Sequence, residues 1–393
     1  MNIFSQPSSA ARSLRLSAAI LWLLASVVSV AATDQAPSPP QPAADVQRLT
    51  SQCEQGKYAS CTDLGDMYGA GLGVAKDEAR AAALYQRACD GGDARGCGNL
   101  GLGHENGRGV PKDLARAVAL YQRSCEGGEA LSCRNLGIMY ENGRGVAKDE
   151  GRAVALYHRA CEGGSARGCS NLGAMYADGS GVIKDQARAV ALFQKACDGG
   201  AAPGCYNLGV MYGAGSGVAK DDSLAVGLYK QACDADYALS CNNLGLMYKS
   251  GRGVAKDEVR AAGLYQRACD GGQAMGCDNL GLMYESGRGV AKDEVHAVAL
   301  YQQACDGGQA RGCSRLGAMY GDGRGVAKDE VRAAAFFQRA CEHGDALGCV
   351  ILGLMCESGR GVAKDEARAA ALYKKACDGG AAEACDKLKK PPE

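Results

Sequence analysis

Tryptophan occurs once in these 393 residues, and phenylalanine and histidine four times each. No charge of either sign dominates: Lys plus Arg and Asp plus Glu both number 44, interspersed along the chain. That balance leaves no electrostatic footprint for nucleic acid or a membrane surface, so nucleic acid is not an expected partner. Several signatures of chemistry are missing as well. There is no Gly-x-Ser-x-Gly, His-Glu-x-x-His or Walker loop. Cys-x-x-Cys is absent too, and four scattered histidines do not make a zinc site. No cofactor and no metal is expected. Length sets one more bound: cores stop growing at roughly 250–300 residues, so a single compact core does not suit this chain.

What the chain has in excess is glycine, 57 residues, and cysteine, 21. Twenty of the cysteines form ten pairs at one constant separation: Cys53 with Cys61, Cys89 with Cys97, Cys125 with Cys133, Cys161 with Cys169, Cys197 with Cys205, Cys233 with Cys241, Cys269 with Cys277, Cys305 with Cys313, Cys341 with Cys349 and Cys377 with Cys385. A regular even set in an exported chain reads as a disulfide framework. Cys356 is the odd thiol; a buried inert thiol is the default reading, with intermolecular pairing or redox use as the alternative.

Export is read from the first residues. Arg12 and Arg15 precede an apolar run from Leu16 to Val30, with small residues at Ser29, Ala31 and Ala32. Residues 1–32 are expected to be a signal peptide cleaved after Ala31 or Ala32; an uncleaved anchor is the alternative, although the run is short for a span. No cysteine follows the run before Cys53, so lipid attachment is not supported. Residues 33–44 read as a Pro-rich, extended linker, 45–388 as a repeat array and 389–393 as a tail. After cleavage no membrane association is expected, and the destination is secreted or periplasmic.

The cysteine pairs recur every 36 residues, and so does everything between them. Nine whole units run from 57–92 to 345–380, after a half unit at 44–56. Self-similarity at such a period signals a solenoid, so the expected class is all-α, an α/α solenoid. In unit three, Cys133, Leu136, Gly137 and Tyr140 lie at i, i+3, i+4 and i+7, one face of a first helix over 130–142. A connector, 143–148, comes next, and Asp149 suits an N-cap. The second helix continues through Ala153, Leu156, Tyr157 and Ala160 to Cys161, and Gly163-Gly164 ends it through a left-handed residue. Each cysteine pair spans such a turn and staples a second helix to the next first helix.

Glycine after leucine is constant in the nine units (Gly65, Gly137 and Gly281 among them), as is an alanine of the second helix (Ala81, Ala153, Ala297). Mid-helix glycine costs about 1 kcal/mol against alanine, so the two are expected to meet in a close helix contact. The constant Lys-Asp and near-constant arginine (Arg80, Arg152, Arg260) read as capping and local ion pairing.

Leu136-Gly137-Ile138-Met139-Tyr140, then Gly143 to Asp149, then Ala153 to Ala160, resembles the Sel1-like repeat, a relative of the tetratricopeptide repeat. With cysteines at both edges of the unit, the chain is similar to the Helicobacter cysteine-rich family of secreted Sel1-like proteins. The resemblance covers 45–388. It implies a right-handed superhelix of antiparallel helix pairs with a disulfide in each unit. It also implies two functions: adaptor-type binding of a protein or peptide, or penicillin binding with weak β-lactamase activity. For the second, no Ser-x-x-Lys is present, so β-lactams would bind as mimics of cell-wall peptide or react through another arrangement. No catalytic residue is assigned. His104, His158, His296 and His343 fall at four different positions of four units and do not compose a base pair or metal site.

Binding is expected on the first helices, by analogy with tetratricopeptide-like arrays. One line there is variable: Thr62, Gly98, Arg134, Ser170, Tyr206, Asn242, Asp278, Ser314 and Val350. Another is mostly apolar and includes Leu102, Ile138, Val210, Leu246 and Leu282. Between them Asn99, Asn135, Asn171, Asn207, Asn243 and Asn279 form a ladder broken at Asp63, Arg315 and Ile351. An amide can donate to and accept from an extended peptide, so the ladder is the expected binding site on the concave face; tying units together is the competing role.

Overall fold

The computed structural model describes residues 42–389, so the expected signal peptide, linker residues 33–41 and tail residues 390–393 lie outside it. The described residues form twenty helices and no strand. The first, Pro42–Glu54, begins three residues inside the expected linker. Nine helix pairs come after it, from Tyr58–Ala70 and Glu78–Asp90 to Ala346–Ser358 and Glu366–Asp378, and Ala382–Lys389 closes the array.

Unit three shows how the local chemistry sets these bounds. Its helices run Ala130–Asn142 and Glu150–Glu162. An Asp149 carboxylate oxygen accepts from the Arg152 backbone N–H at 2.9 Å, satisfying one of the donors that a helix start leaves open. The first helix stops where Gly143 turns left-handed (φ 64°). At the other turn, Gly163 keeps a negative φ and Gly164 takes the left-handed one, φ 87°. Unit five has Ala235-Asp236 there, and Asp236, at φ 57°, is the only non-glycine residue in that region among the described residues.

Each first helix packs between its own second helix and the second helix of the preceding unit, and neighbouring first helices also touch. Cys133, Leu136, Ala153, Tyr157, Ala160 and Cys161 fill the space between. The constant glycine meets an aromatic ring first; of the constant alanines only Ala225 is among the nearest atoms, its carbonyl 3.4 Å from a Cβ on Gly209. A Cβ on Gly137 would lie 2.6 Å from the Tyr157 ring, and the counterparts meet Tyr85, Tyr121, Phe193, Tyr229, Tyr265, Tyr301, Phe337 and Tyr373. The aromatic ring, one turn beyond the alanine, needs the space a side chain would take. Gly145 has a related reason: a Cβ there would lie 2.5 Å from the Leu114 backbone of the preceding unit.

All ten disulfides form with the expected partners, Cys53 to Cys61, Cys89 to Cys97 and so on to Cys377 with Cys385, at Cα separations of 4.5–4.9 Å. The second cysteine of each pair lies in the first turn of a first helix; Cys61, Cys97, Cys205, Cys241, Cys277, Cys313 and Cys349 are buried there, as is Cys133. Cys385 takes the same place in the closing helix. Each bond closes a loop of about nine residues and stabilises by about 2.5 kcal/mol in the chain-entropy account. The near-constant arginine does more than cap and pair. Arg152 lies 3.2 Å from Asp149 and its guanidinium also sits 5.4 Å from the Tyr140 ring centroid, a cation–π contact repeated by Arg80, Arg188, Arg260 and Arg332 over the matching tyrosines.

Candidate functional site

The solvent-facing stripe of each first helix repeats at i, i+4 and i+7. In unit six it is Leu239, Asn243 and Leu246; in unit three, Leu131, Asn135 and Ile138. Leu102, Val210 and Leu246 are 43%, 38% and 40% exposed, which makes the apolar line an accessible one. The six asparagines are all half-buried along it. Several also bond across unit boundaries: Asn99 donates to Asp66 at 2.9 Å and Asn279 to Asn242 at 2.8 Å. Asn135, Asn171 and Asn243 lie near the hydroxyls of Tyr121, Tyr157 and Tyr229 and oppose the rise in their pKa that burial causes. Asn207 faces a unit that carries Phe193 instead, and its amide makes no side-chain hydrogen bond among the described residues.

The variable line is not an open face. Thr62, Ser170, Asn242, Asp278 and Ser314 are buried where neighbouring first helices pack together. Thr62 donates to Asp93 at 2.5 Å and Ser314 to Asp345, each the residue that precedes the next first helix. At the boundary of units seven and eight, Arg315 Nη1 lies 2.6 Å from Asp278 Oδ1. That contact is an ion pair without hydrogen-bond geometry, since the oxygen has no properly aligned donor. Burial pushes the Asp278 carboxyl up and Arg315 opposes it. At the boundary of units three and four the same position holds Arg134. Burial disfavours its charge, nearby Arg167 disfavours it further, and its Nε is buried without a partner.

Below the stripe lies a polar layer that the residue pattern had not suggested. Tyr121 donates to Glu105 at 2.7 Å, and Arg144, from the connector of the next unit, pairs with that carboxylate at 3.0 Å. Tyr301, Glu285 and Arg324 repeat the triad at 2.5 and 2.6 Å. Tyr157 bonds Glu141, Tyr373 bonds Glu357 at 2.7 Å, and Tyr85 bonds Asp66 at 2.7 Å. Burial and then the carboxylate bond raise the phenol pKa of Tyr121 and Tyr301. For Glu285, burial raises the pKa, but the Tyr301 hydroxyl and Arg324 together outweigh it and hold the carboxyl below its usual value. Where the glutamate becomes Ala177 or Gly321, the tyrosine 16 residues later becomes Phe193 or Phe337. That paired change in units four and eight was the signal for this layer, although Gly69, Gly213 and Lys249 replace the glutamate while Tyr85, Tyr229 and Tyr265 stay.

Units one and two form a cleft of about 560 Å³ lined by Asp66, Tyr85, Asn99, Leu102 and Gly103. Gly103 stands where every other unit has methionine, Met139 and Met283 being fully buried examples. His104 is buried with Nδ1 3.0 Å from the Pro111 carbonyl, and the His296 ring lies 4.3 Å from that of Tyr284, tilted 50° to it. His158 pairs with Glu162 at 3.2 Å, and His343 ends a second helix. Cys356 is a free, buried thiol. Among the described residues, no His, Cys, Asp and Glu side chains group as a metal site, and no helix is long and apolar enough to cross a membrane.

A family model of the Sel1 repeat matches nine consecutive segments: 59–93, 94–129, 130–165, 166–200, 202–237, 238–273, 274–309, 310–345 and 346–380. Among solved structures the chain is similar to a protective antigen of uropathogenic Escherichia coli strains displaying an SLR fold. Identity is 28% over 87% of this chain and 81% of that one, with a TM-score of 0.61. A Sel1 repeat protein from Oxalobacter formigenes matches at 29% identity over 78% of this chain and 89% of its own, with a TM-score of 0.58. Cysteine rich protein B of Helicobacter pylori is 34% identical over 34% of this chain and 96% of its own, with a TM-score of 0.29. No curated protein matches the chain.

Proposed function

The chain belongs to the Sel1 repeat family, and we propose that it is an exported, disulfide-stapled scaffold that binds a protein or peptide along the face of its first helices. The observation that carries this reading is the stripe on that face. Leu102, Val210 and Leu246 are exposed there beside the asparagine ladder, and the Asn207 amide makes no side-chain hydrogen bond among the described residues. Exposed apolar side chains beside half-buried amides suit an extended segment, with its side chains seated on the apolar line and its backbone on the asparagines. Ten disulfides fit an exported protein, because such bonds persist in oxidising compartments, either secreted or periplasmic. β-Lactam binding with slow hydrolysis is not put forward, since no observation of the site favours it.

Photo-crosslinking tests the reading. A photoreactive residue at Val210 or Leu246 is expected to trap a discrete protein partner in the cells that make this chain. One at Val259 or Val295, which are 69% and 68% exposed near the starts of second helices, is expected not to. Adducts only from the second-helix positions would overturn it. Replacing Asn171 and Asn207 together by alanine is expected to weaken capture while leaving the helical circular dichroism unchanged.

A further inference from the structure

Unit six departs from the complete triads of units two and seven in one respect. It keeps the tyrosine, Tyr265, and the connector after it keeps the arginine, Arg288, but the glutamate is replaced by Lys249. The separations match those of the complete triads: 16 residues from Lys249 to Tyr265, as from Glu285 to Tyr301, and 39 from Lys249 to Arg288, as from Glu285 to Arg324. Tyr265 is 0% exposed, and its hydroxyl has no hydrogen-bond partner. Lys249 and Arg288 form no ion pair among the described residues. Both lie near Glu258, which already pairs with Lys256 at 2.9 Å, and Lys249 also acts on Asp278. By register, Lys249 and Arg288 flank the position that a carboxylate fills in unit two and unit seven.

A second position lacks a carboxylate for a separate reason. Where Asp278 stands among Arg311 and Arg315, Arg134 stands beside Arg167, and neither arginine has an acidic partner among the described residues. Between the two positions, units four to six present Asn171, Ala174, Asn207, Val210 and Leu246, none of them charged.

We propose that the first-helix face binds an acidic protein segment with an uncharged middle, one side-chain carboxylate of which seats against Lys249 and Arg288 and another against Arg134 and Arg167. This deepens the scaffold reading and rests on it. Carboxylate is the chemistry that the related triads already display, with a tyrosine hydroxyl donating to one oxygen and a guanidinium paired with the group. A nucleic-acid strand is the competing polyanion, and the near-equal numbers of acidic and basic residues in the chain disfavour it.

Fluorescence anisotropy with the oxidised full chain tests the proposal. The probe is a labelled peptide with glutamates flanking a valine-rich middle; the controls are its glutamine counterpart and a single-stranded DNA oligonucleotide of equal charge. The glutamate peptide is expected to bind about tenfold or more tightly than the glutamine peptide. Lys249→Glu supplies the internal carboxylate that units two and seven carry, so it is expected to fold and to weaken glutamate-peptide binding by about tenfold. Arg134→Ser, which copies Ser170 and Ser314, is expected to do the same. Equal binding of the two peptides, DNA binding as tightly as the glutamate peptide, or full affinity in both variants would each overturn it. Equal binding that is lost when Asn171→Ala and Asn207→Ala are combined would sink the acidic partner and leave the scaffold standing. Failure of the glutamate peptide to bind would overturn the acidic segment, with the crosslinking result deciding the scaffold separately.

Discussion

Units six and seven are neighbours on one 36-residue plan, with the same tyrosine against the same glycine, and they treat that tyrosine in opposite ways. In unit seven the Tyr301 hydroxyl has Glu285, and Glu285 has Arg324. In unit six the Tyr265 hydroxyl is buried alone, with Lys249 at the acid's position. The apolar contact is thus kept constant while the polar contact beside it is free to change. In an array whose repeats touch chiefly their neighbours, such a change stays local, and one unit can depart from the others without loss of the fold.

The largest expected effect breaks what the two units share. A Cβ on Gly281 or Gly245 would lie 2.7 Å from the Tyr301 or Tyr265 ring, so Gly281→Val and Gly245→Val should each destabilise by about 3 kcal/mol in urea unfolding. Equal losses are expected, because the clash is with the ring and not the hydroxyl. A large inequality would mean that the polar layer sets the ring's position.

Removing the hydroxyl sharpens the difference. Tyr301→Phe should cost about 1.5–2 kcal/mol, since it takes a donor from a carboxylate, whereas Tyr265→Phe should be neutral or stabilise by about 1 kcal/mol. A similar loss in both would show that Tyr265 has a partner in solution.

The smallest effect is on acid stability. The native pKa of Glu285 is held below its unfolded value near ~4.3, so its contribution is present above that pH and is lost as pH falls through the native pKa. Wild type should therefore exceed Glu285→Gln in unfolding midpoint at neutral pH and converge with it in acid. A gap that persists at the lowest pH would assign the effect to packing.

Much of this architecture is legible residue by residue because its signals are local. Asp149 caps the helix after it, Gly143 ends the helix before it, and Cys161 and Cys169 are separated only by a turn. The features that the residues do not reveal depend on contacts between helices. Ala153 and Tyr157 lie on one stripe a turn apart, and nothing local says which of them faces Gly137. The line from Thr62 to Val350 varies as a binding surface does, yet it varies because each pair of neighbouring first helices solves its own contact, as Thr62 with Asp93 and Asp278 with Arg315 do. The asparagines are on the exposed stripe as their spacing predicts, but their bonds to Asp66 and Asn242 emerge only from the packing.

The disulfides also decide where the backbone can be cut without consequence. Every one of them bridges a turn between units, and none bridges a connector within a unit. A protease that nicks the Gly163-Gly164 turn leaves both fragments joined through Cys161 and Cys169. One that nicks the connector at Arg144 leaves no covalent link between the halves. The Gly-x-Gly connectors are therefore where digestion in an oxidising compartment would release whole blocks of repeats, ends intact, rather than shred the array.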